Sequence, residues 1–191
     1  LVSPGGVHSH SSHLYAFLDS AKNAGITNVI IHAFTDGRDT PPQSAASYLK
    51  ELEDVIEKVG IGFIATAAGR FYAMDRDNNW DRLQKAEDAL FSCKGKICEL
   101  KKPSQVFEEL YKEGVLDEHT EPLVFLDENG KSYPIKENDG VFFFNFRSDR
   151  GRMLSKKIIE KSEEQNLCFV TMTQYDSTFT CKVAFPPIGI D

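Results

Sequence analysis

IGFIATAAGRFYAMDRD, residues 61–77, decides the fold. Its first eight residues carry no charge, and a run of that length suits a strand better than a helix. A strand without a polar face is buried on both sides, as in a parallel sheet. The remaining nine residues, GRFYAMDRD, set two arginines and two aspartates around two aromatics and a methionine. A helix from about Asp81 to Phe91 is expected next. The unit is therefore strand, charged loop and helix.

The same unit recurs on either side. Upstream, Ala45, Leu49, Leu52, Ile56 and Val59 form the apolar stripe of an amphipathic helix ended by Gly60. NVIIHAF (28–34) is a second buried strand and leads into TDGRDTPP (35–42). The second proline there can occupy a first helical turn, with Thr40 as a nearby cap. Leu14, Phe17, Leu18, Ala21 and Ala24 mark a helix from Ser11 that stops at Gly25. LVS reads as the tail of a strand entering PGGVHSH (4–10). Downstream come a helix from about Ser104 to Glu113, and PLVFL and SYPIK flanking DENGK as a hairpin with an Asn-Gly turn. VFFFNF (141–146) feeds RSDR and a helix to about Ser162, and LCFVTMTQY (167–175) is the last clear strand.

This alternation predicts an α/β fold in a single domain over residues 1–191: a mostly parallel sheet flanked by helices, with a small β-hairpin insertion. Right-handed crossovers bring GGVHSH, DGRDTPP, GRFYAMDRD and NFRSDR to the carboxyl edge of the sheet, where open α/β sheets bind ligands.

Composition narrows the function. A length of 191 residues, 41% hydrophobic and 27% charged, suits one soluble domain with a real core. Apolar runs are strand-sized, so no membrane span is expected. The sequence opens on LVSPGG without an initiator Met or a secretory signal, and a fragment of a longer cytoplasmic protein is expected. Cys93, Cys98, Cys168 and Cys181 lack paired CxxC spacing; they read as reduced thiols, with Cys168 buried.

A net charge of -7 argues against nucleic acid. Yet five of the seven arginines (Arg38, Arg70, Arg76, Arg147 and Arg150) fall in three short loops. Guanidinium forks suit carboxylates and phosphates, so these loops read as a clamp for a small molecule with two anionic groups. The competing reading pairs Arg70 with Asp75, and Arg147 or Arg150 with Asp149, merely bracing loops. His8 and His10, with Asp36 or Asp39, offer a metal site, ranked below hydrogen bonding to a ligand. His32 reads as a core histidine and His119 as a surface one. Asp39 is the better candidate for acid/base work; Asp36, straight after the strand, reads equally as a loop cap. No nucleophile motif or phosphate-binding glycine loop is present.

Taken in order, GGVHSHSSHL, HAFTDGRDTPP, GRFYAMDRDNNWDR and FFNFRSDR resemble the motif series of the cofactor-independent phosphoglycerate mutases, continued by VTMTQYD and VAFPP. The resemblance implies a two-domain enzyme. A phosphatase-like domain holds two manganese ions and a serine nucleophile, and a transferase domain binds phosphoglycerate. This chain resembles the transferase domain without its first strand and helices. By the same resemblance, His8, Arg38, Asp39, Arg70, Arg76, Arg147 and Arg150 contact 2- and 3-phosphoglycerate, with Asp39 as acid/base. The resemblance implies a fragment expected to bind no metal or cofactor, with the remainder of its own chain as partner, and a monomer expected not to isomerise phosphoglycerate unaided. Ser148 stands where that family often has proline. The alternatives are a stand-alone binding module for a phosphorylated carboxylate and a metal-dependent hydrolase built on His8 and His10.

Overall fold

The computed structural model describes residues 1–188, so the last three residues of the expected domain lie outside it. The elements run α1 (Ser11–Asn23), β1 (Ile30–Thr35), α2 (Ala45–Val59), β2 (Phe63–Gly69), α3 (Arg70–Ala73), α4 (Trp80–Ser92) and β3 (Lys96–Cys98). Then follow α5 (Pro103–Lys112), a 3-10 turn at Asp117–His119, β4 (Leu123–Phe125), β5 (Gly140–Phe143), α6 (Arg152–Gln165), β6 (Cys168–Thr173) and β7 (Lys182–Phe185).

The strands form two sheets, ordered β1-β2-β4-β3 and β5-β6-β7. All pairings among the described residues are parallel except β2 with β4. The expected α/β architecture therefore holds, divided in two. The free edges of β1 and β5 face each other across an apolar cleft of about 610 Å³, lined by Leu1, Ile31, Phe34, Val141 and Phe143. Leu1 is buried there, Val2 is buried in the neighbouring apolar cluster, and Val2 N–H donates to Phe34 O at 2.9 Å alongside β1. None of the five loop arginines lines this cleft.

Two apolar clusters hold the layers together. One joins Leu18, Leu49, Leu52, Phe107 and Phe125; the other joins Met74, Leu83, Leu154, Phe169 and Tyr175. Each such side chain contributes on the order of 1.5–3 kcal/mol by leaving water. The apolar stripe of α2 packs on α5, and two carboxylates, one buried (Asp117) and one half-buried (Glu53), pin the starts of these helices. Asp117 Oδ2 accepts from Ser44 N and Ala45 N, both at 2.8 Å, and Glu53 accepts from Ser104 N at 2.8 Å. These long-range caps satisfy N–H groups that a helix start leaves free.

Four expectations are corrected. No hairpin forms, because SYPIK is not a strand. Instead Asp127 Oδ1 accepts from Asn129 N and Lys131 N, closing a local turn, and Pro134 lacks a ladder donor. The α2 helix starts at Ala45, past both prolines, and Asp117 rather than Thr40 caps it. Cys168 is exposed, because it opens β6 at the end of its sheet. The strands β3 and β7 are additions; each is too short or too exposed to show as an apolar run. No helix among the described residues is long and apolar enough to cross a membrane.

Candidate functional site

All four loops converge, and the first contacts are made by DGRD as it leaves β1. Asp36 is 2% exposed, and its carboxylate is saturated. Oδ2 accepts from Ser3 Oγ at 2.7 Å; Oδ1 accepts from Arg38 N at 3.2 Å, Asp39 N at 3.0 Å and Arg70 at 2.8 Å. Burial pushes this carboxyl up, but the bonds from Asp39 N–H, Ser3 and Arg70 outweigh it and hold it below the usual carboxylate range. Asp36 therefore folds the loop and anchors Arg70. Asp39 differs: among the described residues its carboxylate makes one hydrogen bond, Oδ2 accepting from Arg70 at 2.6 Å, and Oδ1 is open. The sequence favoured Asp39 over Asp36 only weakly, and their hydrogen-bond partners now distinguish the two carboxylates.

Arg70 opens α3 and is 2% exposed, bridging both aspartates. Its Nε has no partner in the protein. The Arg70–Asp75 pair of the competing loop-bracing reading does not form. Asp75 instead accepts from Asp77 N, Asn79 N and Arg82, bracing the approach to α4.

NFRSDR closes the other side. Asp149 Oδ2 accepts from Arg76 and from Arg147, each at 2.9 Å, and Oδ1 accepts from Arg150 N at 3.0 Å. The Arg147–Asp149 pair of the loop-bracing reading is thus present, but it is shared with an arginine of another loop. Burial raises the Asp149 carboxyl, and Arg147 and Arg76 outweigh that to hold it low. Arg150 donates to Met74 O at 3.1 Å. Its guanidinium is pushed down by burial and then by Arg76, Arg70 and Arg38, which shows how closely the loops gather positive charge. Arg38 is the outlying member, with a side chain 56% exposed and paired with Glu118 at 3.3 Å. Arg38, Arg70, Arg76 and Arg147 therefore pair with four carboxylates, Asp36, Asp39, Asp149 and Glu118, and the Arg150 guanidinium adds a fifth positive charge bonded to Met74 O. The site is net positive in a chain of charge -7.

His8 lies between the two halves. It is 3% exposed, with Nε2 3.8 Å from Asp39 and Nδ1 3.8 Å from Asp149. Those distances are too long for hydrogen bonds, and Nδ1 has no partner. Burial, then Arg70, lowers its pKa to about 4, so the ring is neutral at physiological pH and these are not ion pairs. The His8 carbonyl accepts from Phe146 N at 2.8 Å, tying GGVHSH to NFRSDR.

The remaining histidines stay out of the site. His10 Nδ1 accepts from Ser12 N at 3.2 Å as the cap of α1, and His13 lies edge-on to Phe146. His32 bonds Thr66, and burial lowers its pKa to about 4, as suits a core histidine. His119 is at the surface, its ring tilted over Phe71 at 4.8 Å. With His10 turned away and Asp36 saturated, the metal-site reading loses its donors. Among the described residues no group of three or more His, Cys, Asp or Glu could hold a metal ion, so these side chains do not fit a manganese centre. Sequence reasoning missed Ser3, Glu118 and the Asp117–His119 turn, because each acts across the chain and carries no local motif.

Comparisons with known proteins complete the description. The family model "BPG-independent PGAM N-terminus" matches residues 1–177. A 2,3-bisphosphoglycerate-independent phosphoglycerate mutase of Moorella thermoacetica is 45% identical over 195 aligned positions, covering 98% of this chain and 38% of its own length. Its counterpart in Clostridium kluyveri is 47% identical over 184 positions, covering 93% and 36%. A crystal structure of Leishmania mexicana phosphoglycerate mutase at low cobalt concentration superposes with a TM-score of 0.88 at 26% identity, over 97% of this chain and 37% of that one. The chain spans about 38% of the length of such curated relatives.

Proposed function

The chain belongs to the BPG-independent phosphoglycerate mutase family, as its N-terminal part, and from that premise we propose that it is the substrate-binding (transferase) domain of an enzyme interconverting 3- and 2-phosphoglycerate. The observation that carries this reading is the convergence of Arg38, Arg70, Arg76, Arg147 and Arg150 around His8 and one unsaturated carboxylate, Asp39. A phosphoglycerate carries a carboxylate and a phosphate, and two or more guanidiniums for each fix its orientation.

In this reading the phosphoryl group passes to a serine elsewhere in the longer protein, the P–O bond to one glycerate hydroxyl breaking as the bond to serine forms. The glycerate stays on this domain, reorients, and takes the group back on its other hydroxyl. Asp39 exchanges the proton of the hydroxyl that leaves or attacks, using the oxygen left open beside Arg70. Neutral His8 offers a ring nitrogen to a ligand oxygen without adding charge. The two manganese ions would be held outside this chain, beside the serine, where they would supply charge stabilisation for the phosphoryl transfer. It follows that the isolated chain, a monomer with no cofactor of its own, does not turn over substrate. We place the reaction in cytoplasmic glycolysis and gluconeogenesis.

The reading is tested in the full-length protein by Asp39→Asn in a steady-state assay with 3-phosphoglycerate. kcat is expected to fall by about 10²–10⁴ with KM within a few-fold, the range of a lost acid/base. A kcat within a factor of three of wild type would remove Asp39 from the chemistry.

A further inference from the structure

The turn at Asp117–His119 contributes no arginine to the site, yet both arginine-bearing loops of the first sheet are built around it. Asp117 is fully buried. Its carboxylate accepts from Ser44 N, Ala45 N and Tyr111 OH, its N–H donates to Pro42 O at 2.9 Å, and its carbonyl accepts from Thr35 Oγ1 at 2.8 Å. The turn is thereby bonded before and after DGRD. On the other loop, Gly69 N–H donates to Thr120 O at 2.8 Å. Both loops also meet it at a glycine. A Cβ on Gly37 would lie 2.8 Å from Asp117 Cβ, and one on Gly69 would lie 2.6 Å from the Glu118 carbonyl carbon. Only one side chain of this fixed turn reaches a loop arginine: Glu118, which pairs with Arg38 at 3.3 Å.

We infer that Glu118, carried on the turn that Asp117 anchors, is a positioning residue that aims Arg38 at the anionic ligand. Arg38 is the most exposed of the five guanidiniums named above and has no other salt-bridge partner among the described residues. An exposed, flexible arginine loses rotamer freedom when it grips a ligand. A carboxylate on a rigid mount lessens that loss by holding the fork in place beforehand. The inference rests on the proposed function, since it needs Arg38 to touch substrate.

The sign of the effect separates positioning from charge alone. A carboxylate near an anion site repels the anion, so simple neutralisation of Glu118 would lower KM. Positioning requires the opposite. In the full-length protein, Glu118→Gln is expected to raise KM for 3-phosphoglycerate about five- to tenfold with kcat within twofold. The double variant Arg38→Ala/Glu118→Gln is expected to be no worse than Arg38→Ala, because the two residues act through one contact. An unchanged or lowered KM for Glu118→Gln, or effects that multiply in the double variant, would overturn the inference. So would an unchanged KM for Arg38→Ala beside a raised KM for Arg147→Ala, which leaves the proposed function standing. If neither arginine variant changes KM, the proposed function falls and the inference with it.

Discussion

Arg70→Ala is expected to destabilise the protein by about 3–5 kcal/mol, the range for breaking a buried ion pair from one side. Arg70 and Asp36 are almost without solvent contact, and among the described residues no other cation pairs with Asp36. Removing the guanidinium leaves a buried carboxylate with hydrogen bonds from Ser3, Arg38 N and Asp39 N but no compensating charge. Asp39 also loses its one partner and drifts from the position that acid/base work needs. Asp36 can escape its strain by taking a proton. The penalty should therefore be largest near neutral pH and shrink as pH falls, whereas lost packing alone would give a penalty independent of pH. Urea titrations of wild type and variant at several pH values measure it, and a difference below about 1 kcal/mol at neutral pH would mean the pair is not buried as described.

Gly69→Ala is expected to be worse still, for a different reason. The backbone at Gly69 has φ -63° and ψ 145°, which any residue adopts, so no conformational strain is involved. The obstacle is space. An added Cβ would fall on the backbone of the turn, 2.6 Å from the Glu118 carbonyl carbon and 2.8 Å from Asp117 O. A flexible side chain could move aside, but this turn is bonded to Thr35 and Pro42 on either side of DGRD, to the start of α2 through the Asp117 carboxylate, and to Gly69 itself. The end of β2 and the turn must part, and a loss above about 4 kcal/mol or a failure to fold is expected. Gly114 is the contrast. It has φ +80° with nothing within 4 Å of its Cβ, so alanine there meets only the left-handed backbone penalty of about 1–2 kcal/mol. Comparable melting curves for Gly69→Ala and Gly114→Ala would contradict the close approach.

The parallel strands and the helices were legible because each carries its own period. The uncharged run before GRFYAMDRD and the stripe on α2 are local patterns, and both appear where expected. The gathering of the loop arginines was legible because arginine is scarce here and clusters in loops that the topology sends to one edge. Long-range partnership was not legible. Nothing near DGRD says that Arg70 rather than Asp75's neighbours will claim Asp36, or that Asp117 will cap α2 from 72 residues away. The hairpin failed for a related reason: DENGK has turn chemistry, but β4 finds its partners in β2 and β3, and the stretch with Pro134 is left without a ladder.

The central claim is that these loops build an anion clamp on this chain alone. Calorimetric titration of the chain with 3-phosphoglycerate, beside Arg147→Ala, tests it most directly. Arg147 is well exposed and bonded only at the surface, so its loss should leave the fold intact. The account predicts measurable binding by the wild-type chain, weakened at least tenfold in the variant. Equal affinity in the two proteins, or no binding by either, would contradict it.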